Sequence, residues 1–477
     1  MIALTLAEVA AAVDGRLAGG AAPAAVVAGA STDSRAVSRG DLFVAVVGEH
    51  HDAHDFASSA LAAGAVAVLS GRELDLPCVV VDDTVAALGR LAHAALDRRP
   101  DVVVVGVTGS SGKTSTKDLL AEVLPAYGET LAPHGSFNTE VGLPMTVLRL
   151  EPSTRVLVAE MGARGLGHVR YLCGIAPPRI GVVLNVGSAH IGEFGSRAAI
   201  AEAKGELVEA LPAAADGGVA VLNADDPLVR TMRSRTAARV VTYGEDGAAD
   251  VRAEDVSLDD SGRPAYDLVH GSGRARVALG LHGRHHVSNS LAVAAVALAL
   301  GVGLDRVADA LTRARPASRW RMEVVRTASG ATVVNDAYNA NPESVRAALE
   351  ALVAMARPTA TRGTRRAIAV LGEMRELGGT SVSEHEEIGR TAVRLGVARL
   401  VVVGDSADAG AIAAGAAGAD PSGAAPVEIV RVAGVEEAVE HLAATVAPDD
   451  VVLVKASRGI GLERVVAGLL ERTGVAS

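Results

Sequence analysis

Val102-Val103-Val104-Val105-Gly106-Val107-Thr108-Gly109-Ser110-Ser111-Gly112-Lys113-Thr114-Ser115-Thr116 decides how the rest of the chain is read. A β-branched run ends in glycines and hydroxyls, and Leu119, Leu120, Val123 and Leu124 then recur at helical spacing. The spacing predicts strand, tight loop and helix in that order. Glycines let successive backbone N–H groups turn inward around an anion, and the helix aims its positive end at the same point. The strict pattern G-x-x-x-x-G-K-[ST] is missed by one place, because Val107 stands where its first glycine would be. What remains, Thr108, Gly109, Ser110, Ser111, Gly112, Lys113, Thr114 and Ser115, still reads as a nucleotide-phosphate loop, with Lys113 for the β/γ-phosphates and Thr114 for Mg²⁺.

Bulk properties bound what surrounds this loop. A length of 477 residues suggests about three domains. Apolar residues make up 49% but aromatics only 2%, which fits an α/β protein and leaves few platforms on which nucleic-acid bases could stack. The net charge of −11 also argues against a nucleic-acid surface. Cys78 and Cys173 lie too far apart in sequence to form a metal motif or a disulfide framework, as expected of a reducing cytosol. No basic leader precedes Glu8 and Asp14, and the longest apolar run, from Leu291 to Leu304, is too short to cross a bilayer. The chain is therefore expected to be cytoplasmic, without membrane insertion and without a nucleic-acid partner.

Residues 1–98 read as a first unit of short strands and helices, with a helix expected from Leu4 to Val13 and a boundary at Arg98-Arg99-Pro100. It carries two polar turns, Ser31-Thr32-Asp33-Ser34-Arg35 and Gly48-Glu49-His50-His51-Asp52-Ala53-His54-Asp55. The histidines of the second lack helical i,i+4 geometry and a cysteine partner, so loop polarity or ligand contact is the better reading. Residues 99–315 form a second unit. There Val156 to Ala159 ends at Glu160, and Ile180 to Leu184 runs into Asn185-Val186-Gly187-Ser188-Ala189-His190. Both strands deliver polar groups at their carboxyl ends, where open α/β sheets bind ligands, and Glu160 could share a Mg²⁺ ion with Thr114. Lys204, between Glu202 and Glu206 on a helix, reads from local sequence as a surface ion pair. The stretch from Asp250 to Arg276 reads as short antiparallel strands, followed by an alanine-rich helix. Residues 316–477 alternate strand and helix regularly, which predicts a Rossmann-like, doubly wound parallel sheet. No G-x-G-x-x-G follows its strands, so a dinucleotide cofactor is not expected.

Several motifs in order make the chain similar to the Mur ligases. They are the phosphate loop through Lys117, Phe137-Asn138-Thr139-Glu140-Val141-Gly142-Leu143-Pro144, Asn185 to His190, Glu202-Ala203-Lys204-Gly205-Glu206, Asn335-Asp336-Ala337-Tyr338-Asn339-Ala340-Asn341-Pro342 and Leu371-Gly372-Glu373-Met374-Arg375-Glu376-Leu377-Gly378. Ser110-Ser111 resembles the branch that adds D-alanyl-D-alanine rather than the one that adds the third amino acid. The resemblance implies an ATP-dependent amide ligase acting on a UDP-N-acetylmuramoyl-tripeptide through an acyl phosphate, in the last cytoplasmic step of peptidoglycan precursor synthesis. It implies three α/β domains: an N-terminal one for the uridine nucleotide, a central one for ATP and a C-terminal one that closes over it. Ser34, Arg35, Asn138 and Thr139 then map to substrate, and Asn289, Arg321, Asp336 and Asn339 to ATP. Thr114 and Glu160 map to one of two Mg²⁺ ions, and His190 to a second. Lys204 maps to a lysine carried as a carbamate, because a neutral amine can add CO₂ and become an anionic ligand. Lys113, His190 and Lys204 are the expected catalytic residues, and the chain is expected to be a monomer with small-molecule partners. Thr139 and His286 stand where the family commonly has asparagine, and Glu373 where it has aspartate. The competing readings are a folylpolyglutamate synthetase-like ligase, which lacks the separate uridine-binding module, and a phosphate-loop ATPase doing conformational work.

Overall fold

The computed structural model describes residues 1–48, 51–133, 135–189, 191–358, 363, 365–420 and 426–475. Its centre is a nine-stranded sheet in the order Gly273–Ala278, Pro264–His270, Val251–Leu258, Arg239–Gly244, Val219–Asn223, Ile180–Val183, Val103–Thr108, Val156–Glu160, Thr130–Leu131. The run from Thr130–Leu131 to Val251–Leu258 is parallel throughout. Valine runs such as Val103 to Val105 are buried on both sheet faces, as continuous apolar strands of a parallel sheet must be. The polar stretch beyond Asp250 is indeed an antiparallel meander, and it extends this same sheet. Its Tyr266 hydroxyl and the Ser290 hydroxyl, 2.6 Å apart, tie the meander to the alanine-rich helix His286–Ala299.

The N-terminal unit has a five-stranded sheet, with Cys78–Val80, Ala67–Ser70 and Asp41–Val44 flanked by Arg16–Ala18 and Gly29–Ser31. Leu4 and Thr5, expected to begin a helix, instead pair with Val27 and Val26. Thr5 closes the helix Leu6–Ala12 with a reciprocal capping box to Glu8, which accounts for the shift in boundary. The C-terminal unit is a six-stranded sheet, parallel apart from the edge strand Glu323–Arg326. Its central strand Val451–Lys455 lies between Thr332–Asn335 and Ala367–Leu371, with helices on both faces. No helix among the described residues is long and apolar enough to cross a membrane.

Candidate active site

A cavity of about 1120 Å³ opens where the three units meet, at the carboxyl ends of Val103–Thr108, Val156–Glu160 and Ile180–Val183. The phosphate loop forms its floor. Gly112 has φ 81°, and a Cβ there would lie 2.6 Å from Asn289 Oδ1, so both backbone conformation and space demand glycine. Asn185 Oδ1 accepts from the N–H of Ser110 and Ser111 at 3.0 and 2.9 Å, bracing the loop from the neighbouring strand. Thr116 N–H reaches the Gly112 carbonyl at 2.9 Å as the helix begins. The N–H groups ahead of it are those a helix start leaves without helical partners. Lys113 Nζ donates to the Gly109 carbonyl at 2.7 Å, and burial lowers its pKa against the opposing pull of Glu160.

Thr114 Oγ1 is 3.1 Å from Ser136 Oγ and 3.4 Å from Glu160 Oε1. Asn138 Nδ2 donates to the same Glu160 oxygen at 2.8 Å, while Glu160 Oε2 is buried and unpartnered. A hard divalent cation favours such a donor set, a hydroxyl beside a carboxylate with spare lone pairs. Lys204 is 2% exposed, which overturns the surface ion pair suggested by its neighbours. The carboxylate of Glu206 instead accepts from the N–H of Gly167 and Arg170. Burial, and then the like charge of Lys113, push the Lys204 pKa well below the ordinary lysine value. Both effects favour the neutral amine, the form that can react with CO₂.

The C-terminal unit supplies the opposite wall. Arg321 lies with its guanidinium carbon 4.1 Å from the Tyr338 ring centroid and reaches Ser136 Oγ at 3.1 Å. Asp336 accepts from Met322 N–H at 3.1 Å and from Lys455 Nζ at 2.6 Å, and Lys455 also donates to the Asn339 carbonyl at 2.8 Å. The His285 and His286 rings lie with centroids 4.2 Å apart and tilted by 41°, and burial lowers both pKa values, that of His285 to about 4.

Of the residues singled out in the sequence, the cavity wall includes Ser110, Ser111, Gly112, Lys113, Thr114, Ser115, Asn138, Thr139, Glu160, Lys204, Asn289, Arg321, Asp336 and Asn339. Thr108 and Gly109 lie behind it: Thr108 Oγ1 donates to the Met161 carbonyl and is fully buried. Ser34 and Arg35 do not line it either; Arg35 is exposed and chelates Asp33, whose carboxyl it holds at about 2. In the histidine-rich turn, His54 is buried between Asp52 and Gly71 N–H as a packing residue. His190, Glu49 and His50 lie outside the described residues. Sequence reasoning missed Ser136 and Lys455; a lysine ending an otherwise apolar strand was the one signal available for the latter.

Three family models match in succession: the Mur ligase family catalytic domain over residues 26–100, the Mur ligase middle domain over 107–297 and the Mur ligase glutamate ligase domain over 320–458. The chain belongs to the Mur ligase family. Among its curated relatives in that family, the UDP-N-acetylmuramoyl-tripeptide--D-alanyl-D-alanine ligase of Mycobacterium tuberculosis is 47% identical, over 98% of both chains. The Escherichia coli ligase of the same name is 34% identical over 99% of both. Among solved Mur ligases, MurF from Acinetobacter baumannii superposes with a TM-score of 0.86 at 31% identity, covering 98% of this chain and 99% of that one. MurF from Thermotoga maritima, crystallised in complex with ADP, gives 0.79 at 32% identity, covering 93% and 97%.

Proposed function

We propose that the chain is an ATP-dependent amide ligase that joins D-alanyl-D-alanine to a UDP-N-acetylmuramoyl-tripeptide, completing a peptidoglycan precursor. The observation that carries this reading is one cavity walled by all three units, with the phosphate loop on one side and Arg321, Asp336 and Asn339 on the other. The uridine-linked acid would enter from residues 1–98, ATP would lie on residues 99–315, and residues 316–477 would close over both.

The substrate carboxylate attacks the γ-phosphorus of ATP and ADP leaves. The amine of D-alanyl-D-alanine then attacks the acyl carbonyl, and the C–O bond to phosphate breaks. Both reactants of the first step are anionic, so electrostatics dominate its barrier. Lys113, released from the Gly109 carbonyl, supplies a cation at the terminal phosphate, and the first-turn N–H groups supply oriented dipoles. Asn289 faces the base end of the loop, and Arg321 brings a second cation across the domain boundary, held flat by Tyr338. Thr114 and Glu160 would hold one Mg²⁺, with Asn138 fixing the carboxylate; carbamylated Lys204 and His190 would serve a second. When bound, these ions neutralise charge that develops on the phosphoryl oxygens. Arg35 and Ser34, outside the cavity wall, would bind the nucleotide handle of the acid, and Thr139 would face its peptide. Holding three reactants in register is what a three-domain design contributes, since proximity can supply ~7–11 kcal/mol.

The test is to measure phosphate release and amide formation from ATP and the uridine-linked tripeptide, with and without D-alanyl-D-alanine. Strict dependence on both the tripeptide and the dipeptide is expected. Steady ATP hydrolysis indifferent to the dipeptide would favour a conformational ATPase. Turnover with a folate and glutamate instead would favour the folylpolyglutamate ligase.

A further inference from the structure

The C-terminal unit touches the loop after Ile180–Val183 on both sides of one short stretch. Upstream, Ser188 donates to Glu343 Oε1 from its N–H at 2.8 Å and its hydroxyl at 3.0 Å. Glu343 sits in the first turn of Pro342–Ala356, directly after Asn341, whose Nδ2 reaches the Ser110 carbonyl of the phosphate loop at 3.4 Å. Downstream, Gly192 N–H donates to the Glu376 carbonyl at 3.2 Å. Gly192 and Gly378 approach so closely that a Cβ on Gly192 would lie 2.6 Å from Gly378 N, and one on Gly378 would lie 2.6 Å from Gly192 Cα.

The loop bearing Glu376 and Gly378 is itself held firmly from behind. Met374 N–H donates to the buried His385 Nε2 at 2.8 Å, and Arg375 N–H to Ser457 Oγ at 2.9 Å. Backbone therefore meets backbone across the domain boundary at Gly192 and Gly378. Glu343 and Arg375 belong to the wall of the reaction cavity, so this seam borders the reacting groups.

We propose that Glu343 and the Gly192–Gly378 contact form a water seal that directs the acyl phosphate to the amine. This rests on the ligase reading given above and adds the positioning residues that enforce its coupling. With the seam loosened, water adds to the acyl carbon in place of the amine. The new C–O bond forms from water, the acyl C–O bond to phosphate breaks, phosphate leaves, and a proton passes to solvent. The acid is regenerated and ATP is spent without an amide.

Gly192 has an ordinary backbone conformation, so Gly192→Ala is allowed within its own helix and is opposed by Gly378 across the boundary. Phosphate released per amide formed is measured in the full-length chain for wild type, Gly192→Ala and Glu343→Ala, at saturating dipeptide. A ratio of one in wild type tests the ligase reading by itself. The seal requires the ratio to rise about twofold or more in both variants. An unfolded fraction lowers phosphate and amide together and leaves the ratio unmoved. A ratio that stays at one in either variant, with or without a fall in rate, overturns the proposal.

Discussion

Lys204 of the central unit and Lys455 of the C-terminal unit are buried to the same extent, 2% exposed each, in opposite surroundings. Lys455 ends a strand and meets a carboxylate and a carbonyl, Asp336 and Asn339, so its ammonium is compensated. For Lys204, burial and then the like charge of Lys113 push the pKa downward. Equal burial is thus set against a carboxylate in one place and against a like charge in the other. What separates them is the partner brought in by the fold.

Lys113 provides the largest effect by which this contrast can be sharpened, because it is only half-buried and has only a loop carbonyl to leave. Lys113→Ala should lower kcat by roughly 10³-fold or more with the circular dichroism spectrum unchanged, since a cation at the developing charge is lost. Lys455→Met comes next. It leaves Asp336, largely shielded from water, without its cation, and should cost about 3–5 kcal/mol in denaturant unfolding. Lys204→Met should do the reverse, stabilising the fold by on the order of 1–4 kcal/mol near neutral pH in CO₂-free buffer while abolishing ligation.

The sign for Lys204 follows from its depressed pKa. Between the folded value and the ordinary value near ~10.4, the unfolded chain holds a proton that the folded chain lacks, so stability rises with pH. The advantage of Lys204→Met over wild type should accordingly shrink as pH climbs through that window. If the advantage stayed constant or grew instead, the fold would not lower the Lys204 pKa, and the contrast with Lys455 would fail. The smallest effect is at Arg35, which is exposed and not part of the cavity wall. Arg35→Ala should raise KM for the uridine-linked acid by about tenfold with kcat unchanged, the signature of binding energy used equally in ground and transition states.

Local pattern carried the reading of the phosphate loop and of the βα repeats from Thr332 onward, because strand, turn and helix signals there fall within a few residues of one another. It could not carry Lys204, where i−2 and i+2 glutamates suggested a surface pair; only the packing of Arg197–Glu209 turns that lysine inward and sends Glu206 to Gly167. Ser136 and Arg321 are separated by 185 residues, and Ser188 and Glu343 by 155, so no window of sequence contains either contact. Family resemblance pointed to Asp336 through the contiguous Asn335 to Pro342 motif, and to Arg321 as well, and both line the cavity. It gave nothing for Lys455 or Glu343, whose roles exist only across the assembled sheets. The meander from Val251–Leu258 onward was legible as strands, yet not as an extension of the central sheet, since alternation fixes a strand's faces and leaves its neighbour open.

The most direct measurement is a crystal of the full chain grown with a non-hydrolysable ATP analogue. The account requires the triphosphate against the N–H groups of Gly112 to Ser115, with Lys113 Nζ withdrawn from the Gly109 carbonyl onto the terminal phosphate. A triphosphate bound elsewhere, with the Lys113 to Gly109 hydrogen bond retained, would contradict it.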